Sequence, residues 1–68
     1  MLGEYLKKQR IKNCFTQDYV AQQLGITKPY YCQLENGKIP GLTTIKKIAE
    51  LYNVKPMYIR RLINESNK

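Results

Sequence analysis

The chain has 68 residues, so it forms one small domain near the lower size limit for a core without disulfides or metals. Twelve Lys and Arg residues against five Asp and Glu residues give a net charge of +7, and the basic residues are spread along the chain. This balance favours a polyanionic partner, with nucleic acid ahead of an acidic membrane surface. No apolar run reaches about 18 residues and no signal-peptide pattern occurs, which argues against a membrane span and predicts a cytoplasmic protein.

The residues that carry most enzyme chemistry are scarce. The chain has no His, and its five acidic residues are dispersed and form no obvious catalytic pair. Its four glycines form no phosphate-binding loop. Cys14 and Cys32 match neither a disulfide framework nor a CxxC metal pattern. We therefore expect no enzyme activity, no cofactor, no metal and two reduced thiols.

Helical patterns cover nearly the whole chain, and no strand pattern of any length occurs. The first predicted helix is LGEYLKKQRIK, in which Leu2, Leu6 and Arg10 share a stripe that begins apolar and ends in a charge. The second predicted helix begins after Thr16, whose hydroxyl is a good N-cap, and runs to Leu24.

A short joint connects the second helix to the third. Gly25 can supply the positive φ that ends a helix, and Thr27 is placed to cap the next helix, with Pro29 in its first turn. The third helix is predicted to run through Asn36, and Gly37 ends it in the same way. Two helices joined by about three residues form a helix-turn-helix unit.

The remaining chain predicts two further helices. Leu42 begins the fourth, which ends at Asn53, and Pro56 opens the fifth. The sequence therefore predicts an all-α fold of five helices over residues 1–64, followed by a frayed C-terminal tail at residues 65–68.

The third helix has one polar face. At about 100° per residue, Tyr30, Tyr31 and Leu34 fall on the core side. The opposite side carries Lys28, Pro29, Cys32, Gln33 and Asn36. This set includes one cation, Lys28, and two side-chain amides, Gln33 and Asn36. Gln and Asn can bond adenine through two hydrogen bonds in the major groove and Lys can donate to guanine, which favours a base-reading surface. An ordinary solvated helix face is the alternative, and it is polar as well.

One set of residues carries a family resemblance through its identities and spacing: Thr16-Gln17, Ala21, Leu24-Gly25, Thr27 and Gln33-Leu34-Glu35-Asn36-Gly37-Lys38. This set resembles the helix-turn-helix domain of phage repressor, Cro and Xre-like bacterial regulators, and the resemblance extends from Leu2 to about Leu62. It implies a compact five-helix DNA-binding domain over residues 1–64. The third helix would enter the major groove of double-stranded DNA, and the protein would bind as a homodimer.

The resemblance also implies which residues contact DNA. It places base reading on Lys28, Pro29 and Gln33, with Cys32 close by. The glutamine that opens the second helix, and braces against a phosphate and the third helix, falls on Gln17. With the helix N-termini and a tyrosine hydroxyl included, the expected phosphate contacts are Thr16, Gln17, Thr27, Tyr30, Asn36, Gly37 and Lys38.

The same resemblance implies a structural ion pair between Arg10 and Glu35, which accounts for the charge at the end of the first apolar stripe. The chain departs from the family at the first turn, where Cys14 replaces a usual Gly. We expect Asn13 to take the left-handed conformation there, since Asn tolerates it best. Pro29 is a second departure, because it can touch a thymine methyl but cannot hydrogen bond to a base edge.

The fifth helix offers more apolar area than one short helix needs, which predicts a dimer surface at Met57, Tyr58, Ile59 and Leu62. The sequence as a whole favours a sequence-specific DNA-binding transcriptional regulator of the repressor type. Its dimer would cover a promoter or operator and either block or recruit polymerase, and repression is the expected outcome. One alternative is an antitoxin of the same fold, which binds a toxin protein and autoregulates. Another is a protein-interaction module whose basic charge serves solubility.

Overall fold

The computed structural model describes the backbone of residues 1–66 and the side chains of residues 1–65. Within that range it contains no strand, and the all-α prediction of five helices is confirmed. The helices are α1 (Leu2–Lys12), α2 (Gln17–Leu24), α3 (Lys28–Glu35), α4 (Leu42–Leu51) and α5 (Pro56–Ser66).

Side-chain hydroxyls begin α2 and α3, as the sequence predicts. The Thr16 hydroxyl accepts a hydrogen bond from the Tyr19 N–H at 3.0 Å, and the Thr27 hydroxyl accepts one from the Tyr30 N–H at 3.3 Å. Each bond satisfies one of the N–H groups that a helix leaves without an internal partner at its first turn. The two caps define where α2 and α3 start, and the cap at Thr27 therefore limits the length of the joint between the two helices.

The first four helices end in one backbone motif. A residue with positive φ lets the next N–H bond back to the carbonyl five residues earlier. These bonds run from Phe15 to Arg10 at 2.9 Å, from Ile26 to Ala21 at 3.0 Å, from Lys38 to Gln33 at 2.9 Å and from Val54 to Ala49 at 2.9 Å. The positive φ values belong to Cys14 (59°), Gly25 (70°), Gly37 (112°) and Asn53 (55°).

The prediction for the first turn is wrong by one residue. Asn13 has a φ of −93°, and Cys14 is the residue in the left-handed region. The Asn13 side chain donates to the Gln9 carbonyl oxygen at 2.7 Å, and its own N–H bonds to the same oxygen at 3.1 Å. These two bonds keep Asn13 in the last helical turn, so the left-handed conformation that ends α1 falls on the next residue, Cys14.

All five helices contribute to one hydrophobic core. The pair of helices α2 and α3 packs between α1, which contacts α3, and α4, which contacts α2, and α5 closes the core against both of those outer helices. The buried apolar side chains are Leu2, Leu6, Val20, Ala21, Leu24, Tyr31, Leu34, Ile45, Ile48, Ala49, Ile59 and Leu62.

The core includes half of the predicted dimer surface. Ile59 is 0% exposed and Leu62 is 8% exposed, so both side chains pack inside the protomer. The short helix α5 uses its inward stripe to close the core, and this burial takes the two residues out of any surface contact. Met57 and Tyr58 remain at the surface, with exposures of 72% and 43%.

A glycine allows α1 to lie close to the end of α3. Gly3 is buried, and a Cβ atom added to it would collide with the carbonyl oxygen of Glu35. A side chain of any size at position 3 would push α1 away from α3. Sequence reasoning missed this residue, because the contact becomes visible only when the two helices are placed together.

The helix α5 runs to Ser66, past the predicted domain boundary at residue 64. The rest of the predicted tail, residues 67 and 68, lies outside the described residues. Among the helices described, none has the length and apolar character needed to cross a membrane.

Candidate nucleic-acid interface

The helix α3 turns one face inward and one face outward. Tyr31 and Leu34 are fully buried, which anchors the inner face in the core. The outer face carries the predicted base-reading residues, of which Lys28, Pro29 and Gln33 are exposed. The structure places Cys32 half-buried at the edge of this face.

A cleft between α1, α2 and α3 collects several of the predicted phosphate contacts. Thr16 and Gln17 line it from the start of α2, and Asn36 lines it from the end of α3. Lys28 contributes a cation at the start of α3, and Lys7 contributes another from α1. The first N–H groups of a helix favour anions, so the start of α2 and these two cations suit a phosphate group.

Sequence reasoning missed Lys7. Its only sequence signal is an exposed position next to the apolar stripe of α1, and many surface lysines share that signal. The packing of α1 against α3 brings Lys7 to the same cleft as Lys28.

Three acidic side chains also line this cleft, on Glu4, Asp18 and Glu35, and Glu35 is paired with Arg10. The Asp18 carboxylate is 4.0 Å from the Lys28 ammonium group, and the two side chains are 68% and 52% exposed. An ion pair this open to solvent is worth little and is easily exchanged for another partner. Lys28 can therefore exchange its contact with Asp18 for a contact with a phosphate group.

Gln17 connects α2 to α3 through both ends of its amide group. Its Nε2 donates to Glu35 Oε1 at 3.4 Å, and its Oε1 accepts a hydrogen bond from the Cys32 thiol at 3.3 Å. The amide nitrogen carries two protons, so one remains for a further acceptor. This geometry suits a residue that braces the third helix and also contacts a phosphate.

Arg10 and Glu35 form an ion pair, and both residues line the cleft. Arg10 Nε donates to Glu35 Oε2 at 2.7 Å, and the two side chains are only 15% and 7% exposed. Arg10 Nη1 also donates to the Phe15 carbonyl oxygen at 3.2 Å. The guanidinium group thus holds α1, the turn that follows it and the end of α3 in one arrangement.

The pair changes the protonation of its members. Burial raises the pKa of the Glu35 carboxyl, but the hydrogen bond from Arg10 and the nearby Tyr31 hydroxyl outweigh burial and leave that pKa below its ordinary value of 4.5. The same hydrogen bond raises the pKa of Arg10. The Tyr31 hydroxyl lies beside the carboxylate without full hydrogen-bond geometry, and burial is the main reason its pKa is raised.

The loop after α3 folds back over the outer face of the helix. Lys38 Nζ donates to Gln33 Oε1 at 3.2 Å and lies 5.0 Å from the centre of the Tyr30 ring. The Asn36 amide donates to the Cys32 carbonyl oxygen at 3.0 Å. Gly37 is exposed, and its positive φ is what turns the chain back toward Gln33.

A tight joint between two helices, with the outer face of the second helix left open to solvent, defines a helix-turn-helix protein. Residues 6–64 match the family described as helix-turn-helix. The chain belongs to this family, in its phage-repressor and Xre-like branch, which consists of DNA-binding transcription regulators.

Two curated proteins are similar to this chain. It is 41% identical over 51 residues to the uncharacterized HTH-type transcriptional regulator YqaF of Bacillus subtilis (strain 168), a match that covers 74% of this chain and 67% of that protein. It is 37% identical over 60 residues to an SPbeta prophage-derived uncharacterized HTH-type transcriptional regulator, YonR, of the same organism. That match covers 87% of this chain and 56% of YonR. No solved structure matches the chain significantly.

Proposed function

We propose that this chain binds double-stranded DNA in a sequence-specific manner and represses transcription by occupying an operator as a homodimer. The observation that carries the proposal is the outer face of α3, where exposed Lys28, Pro29 and Gln33 lie beside the cleft at the start of α2, which Lys7 also lines. Two similar proteins named as transcriptional regulators support the same function.

The proposed mechanism separates positioning from reading. Phosphate contacts fix the protein on the duplex but carry no sequence information, and contacts to base edges supply the specificity. We assign positioning to the cleft and to the loop after α3, that is, to Thr16, Gln17, Thr27, Tyr30, Asn36, Gly37 and Lys38, with Lys7 added from the structure. We assign reading to Lys28, Pro29 and Gln33, with Cys32 at the edge of the same face.

A dimer follows from the size of the reading surface. One helix of this length reads only a few base pairs, so a specific site needs two copies about 34–36 Å apart on the duplex. With Ile59 and Leu62 in the core, the proposed contact between protomers narrows to the exposed Met57 and Tyr58 of α5. Two protomers per symmetric site, measured by the mass of the complex, would support the dimer, and one protomer per site would contradict it.

The test of the function is selection from a pool of randomised duplexes. The affinities for the selected duplex and for an unselected duplex are then measured at several salt concentrations. We expect a site with two-fold symmetry, bound about a thousandfold more tightly than unselected DNA, and an affinity that falls as salt rises. Equal affinity for both duplexes would contradict sequence-specific binding. An absence of binding even at low salt would favour a protein-interaction module.

A further inference from the structure

The contact between Lys38 and Gln33 fixes the orientation of the Gln33 amide. A lysine ammonium group has only donors, so the atom 3.2 Å away on Gln33 must be the amide oxygen. The centre of the Tyr30 ring lies 5.0 Å from the same ammonium group, a distance suited to a cation–π contact. The Lys38 ammonium group therefore contacts both an aromatic ring and the amide oxygen of the central residue of the reading face.

The backbone brings these groups together. The Lys38 N–H bonds to the Gln33 carbonyl oxygen at 2.9 Å, and Gly37 provides the φ of 112° that this bond needs. Tyr30 lies one helical turn before Gln33, on the adjacent part of the surface. The backbone at the end of α3 thus places position 38 next to position 33.

This contact changes what Gln33 can recognise. A free glutamine reads adenine by accepting a hydrogen bond from N6 and donating one to N7. In this structure the amide oxygen already accepts from a cation, and a second donor such as adenine N6 would approach beside a positive charge. What remains available is a set of donors: the amide N–H groups of Gln33 and the free N–H groups of Lys38.

We propose that Lys38 is a specificity-determining residue. By occupying the amide oxygen of Gln33, Lys38 makes Gln33 recognise guanine instead of adenine. Guanine presents two acceptors in the major groove, O6 and N7, and these match the donors of the paired side chains. The inference rests on the proposed function, in which α3 reads base edges. It gives Lys38 a role in recognition beyond the phosphate contact expected from the sequence.

The experiment compares the base preferences of four proteins by selection from randomised duplexes. They are the unchanged chain, Gln33→Ala, Lys38→Met and a charge control, Lys55→Met, in the loop between α4 and α5. Gln33→Ala identifies the base pair that Gln33 faces, because the preference at that pair should disappear. Lys38→Met keeps a long apolar side chain but removes the donor, and its exposed position should leave the melting temperature unchanged.

At the base pair that Gln33 faces, we expect the unchanged chain to prefer guanine over adenine on the order of tenfold. Lys38→Met should move that preference to adenine. Lys55→Met should keep guanine and only weaken the binding of all sequences.

Several results would overturn the proposal. Adenine preferred by the unchanged chain would do so, as would a Gln33→Ala variant that loses no preference at any base pair. If Lys38→Met weakens all sequences alike and keeps guanine, Lys38 binds phosphate alone. In all three cases the unchanged chain still selects a sequence, so sequence-specific DNA binding stands. In the case of Gln33→Ala, the assignment of base reading to Gln33 is lost as well. If the unchanged chain selects no sequence at all, the proposed function fails and this inference fails with it.

Discussion

Two ion pairs lie at opposite ends of α3, and they differ in almost every respect. Arg10 and Glu35 meet at 2.7 Å, at the end of the helix, with exposures of 15% and 7%. Lys28 and Asp18 are 4.0 Å apart, at the start of the helix, with exposures of 52% and 68%. Burial decides the role of each pair: the buried pair holds helices together, and the exposed pair leaves its cation available to another anion.

This difference divides the positive charge of the protein into two kinds. Arg10 donates hydrogen bonds to Glu35 and to the Phe15 carbonyl oxygen, so it stabilises the packing of α1 and the turn after it against α3. Lys28 and Lys7 line the cleft with exposed side chains, and the contact of Lys28 with Asp18 is open to solvent, so these cations suit a polyanion. The predictions below test this division, beginning with the largest expected effect.

Loss of the buried pair should destabilise the protein most. Arg10→Ala leaves the Glu35 charge uncompensated in a buried position, and we expect the free energy of unfolding to fall on the order of 2–4 kcal/mol. Arg61→Ala removes an exposed arginine from α5 and should change stability by less than about 0.5 kcal/mol. Urea denaturation of both variants checks the difference. An unchanged midpoint for Arg10→Ala would mean that the pair adds nothing to stability.

The close approach of α1 to α3 gives the next prediction. Gly3→Ala places a methyl group against the Glu35 carbonyl oxygen, so α1 must move, at a cost on the order of 1–3 kcal/mol. In a helix without that contact the same change would stabilise by roughly 0.5–1 kcal/mol. Thermal denaturation therefore separates the two cases by the sign of the change in melting temperature. A higher melting temperature would contradict the packing described here.

The protonation of Glu35 makes stability depend on pH in one direction. Its folded-state pKa lies below 4.5, so the unfolded chain binds a proton at this site before the folded protein does. The stability from this group is complete above about pH 4.5 and is lost as the pH falls through the lowered folded-state value. Urea denaturation of the unchanged chain and of Glu35→Gln, between neutral and acidic pH, measures it. Glu35→Gln should be less stable near neutral pH and should lose less on acidification; parallel curves would contradict the argument.

Replacing Cys14, the left-handed residue after α1, with glycine should increase the stability of the protein. Cys14 carries a Cβ atom at a φ of 59°, a conformation that glycine adopts without strain. Cys14→Gly should raise the free energy of unfolding by about 0.5–1 kcal/mol. Cys14→Ala is the matched control, because it removes the thiol and keeps the strain, and it should have little effect. Equal effects of the two variants would assign the change to the thiol.

The exposed pair should give the smallest change in stability. Asp18→Asn should alter the free energy of unfolding by less than about 0.5 kcal/mol, because both side chains are already solvated. The same variant removes a negative charge beside Lys28 and should tighten binding to any duplex at low salt. Weaker DNA binding by this variant would argue that Asp18 positions Lys28.

The sequence predicted the features that depend on local chemistry. Thr16 and Thr27 cap helices because a hydroxyl before a helix can accept an N–H bond, whatever lies around it. Gly25 ends α2 because the motif at that point needs a positive φ. The contact of Arg10 with Glu35 was expected only from the family resemblance, since the residues are 25 positions apart.

The features that depend on packing could not be read in the same way. An apolar residue such as Ile59 or Leu62 has the same sequence pattern whether it lies on a dimer surface or in the core. Only the packing of α5 shows that both residues lie in the core. Gly3 gives no sign of its neighbour Glu35 before α1 and α3 are packed together. The Lys38 contact with Gln33 depends on how the loop after α3 folds back, which the identity of Gly37 alone does not define.

The central claim is that the outer face of α3 reads bases, and one pair of affinities tests it most directly. Gln33→Ala is measured on the selected duplex and on an unselected duplex, with Gln23→Ala, an exposed glutamine on α2, as the matched control. We predict that Gln33→Ala loses about 1–3 kcal/mol on the selected duplex and almost nothing on the other. Gln23→Ala should change neither value. Equal weakening of both duplexes by Gln33→Ala, with the specificity ratio intact, would contradict the assignment of α3 as the reading helix.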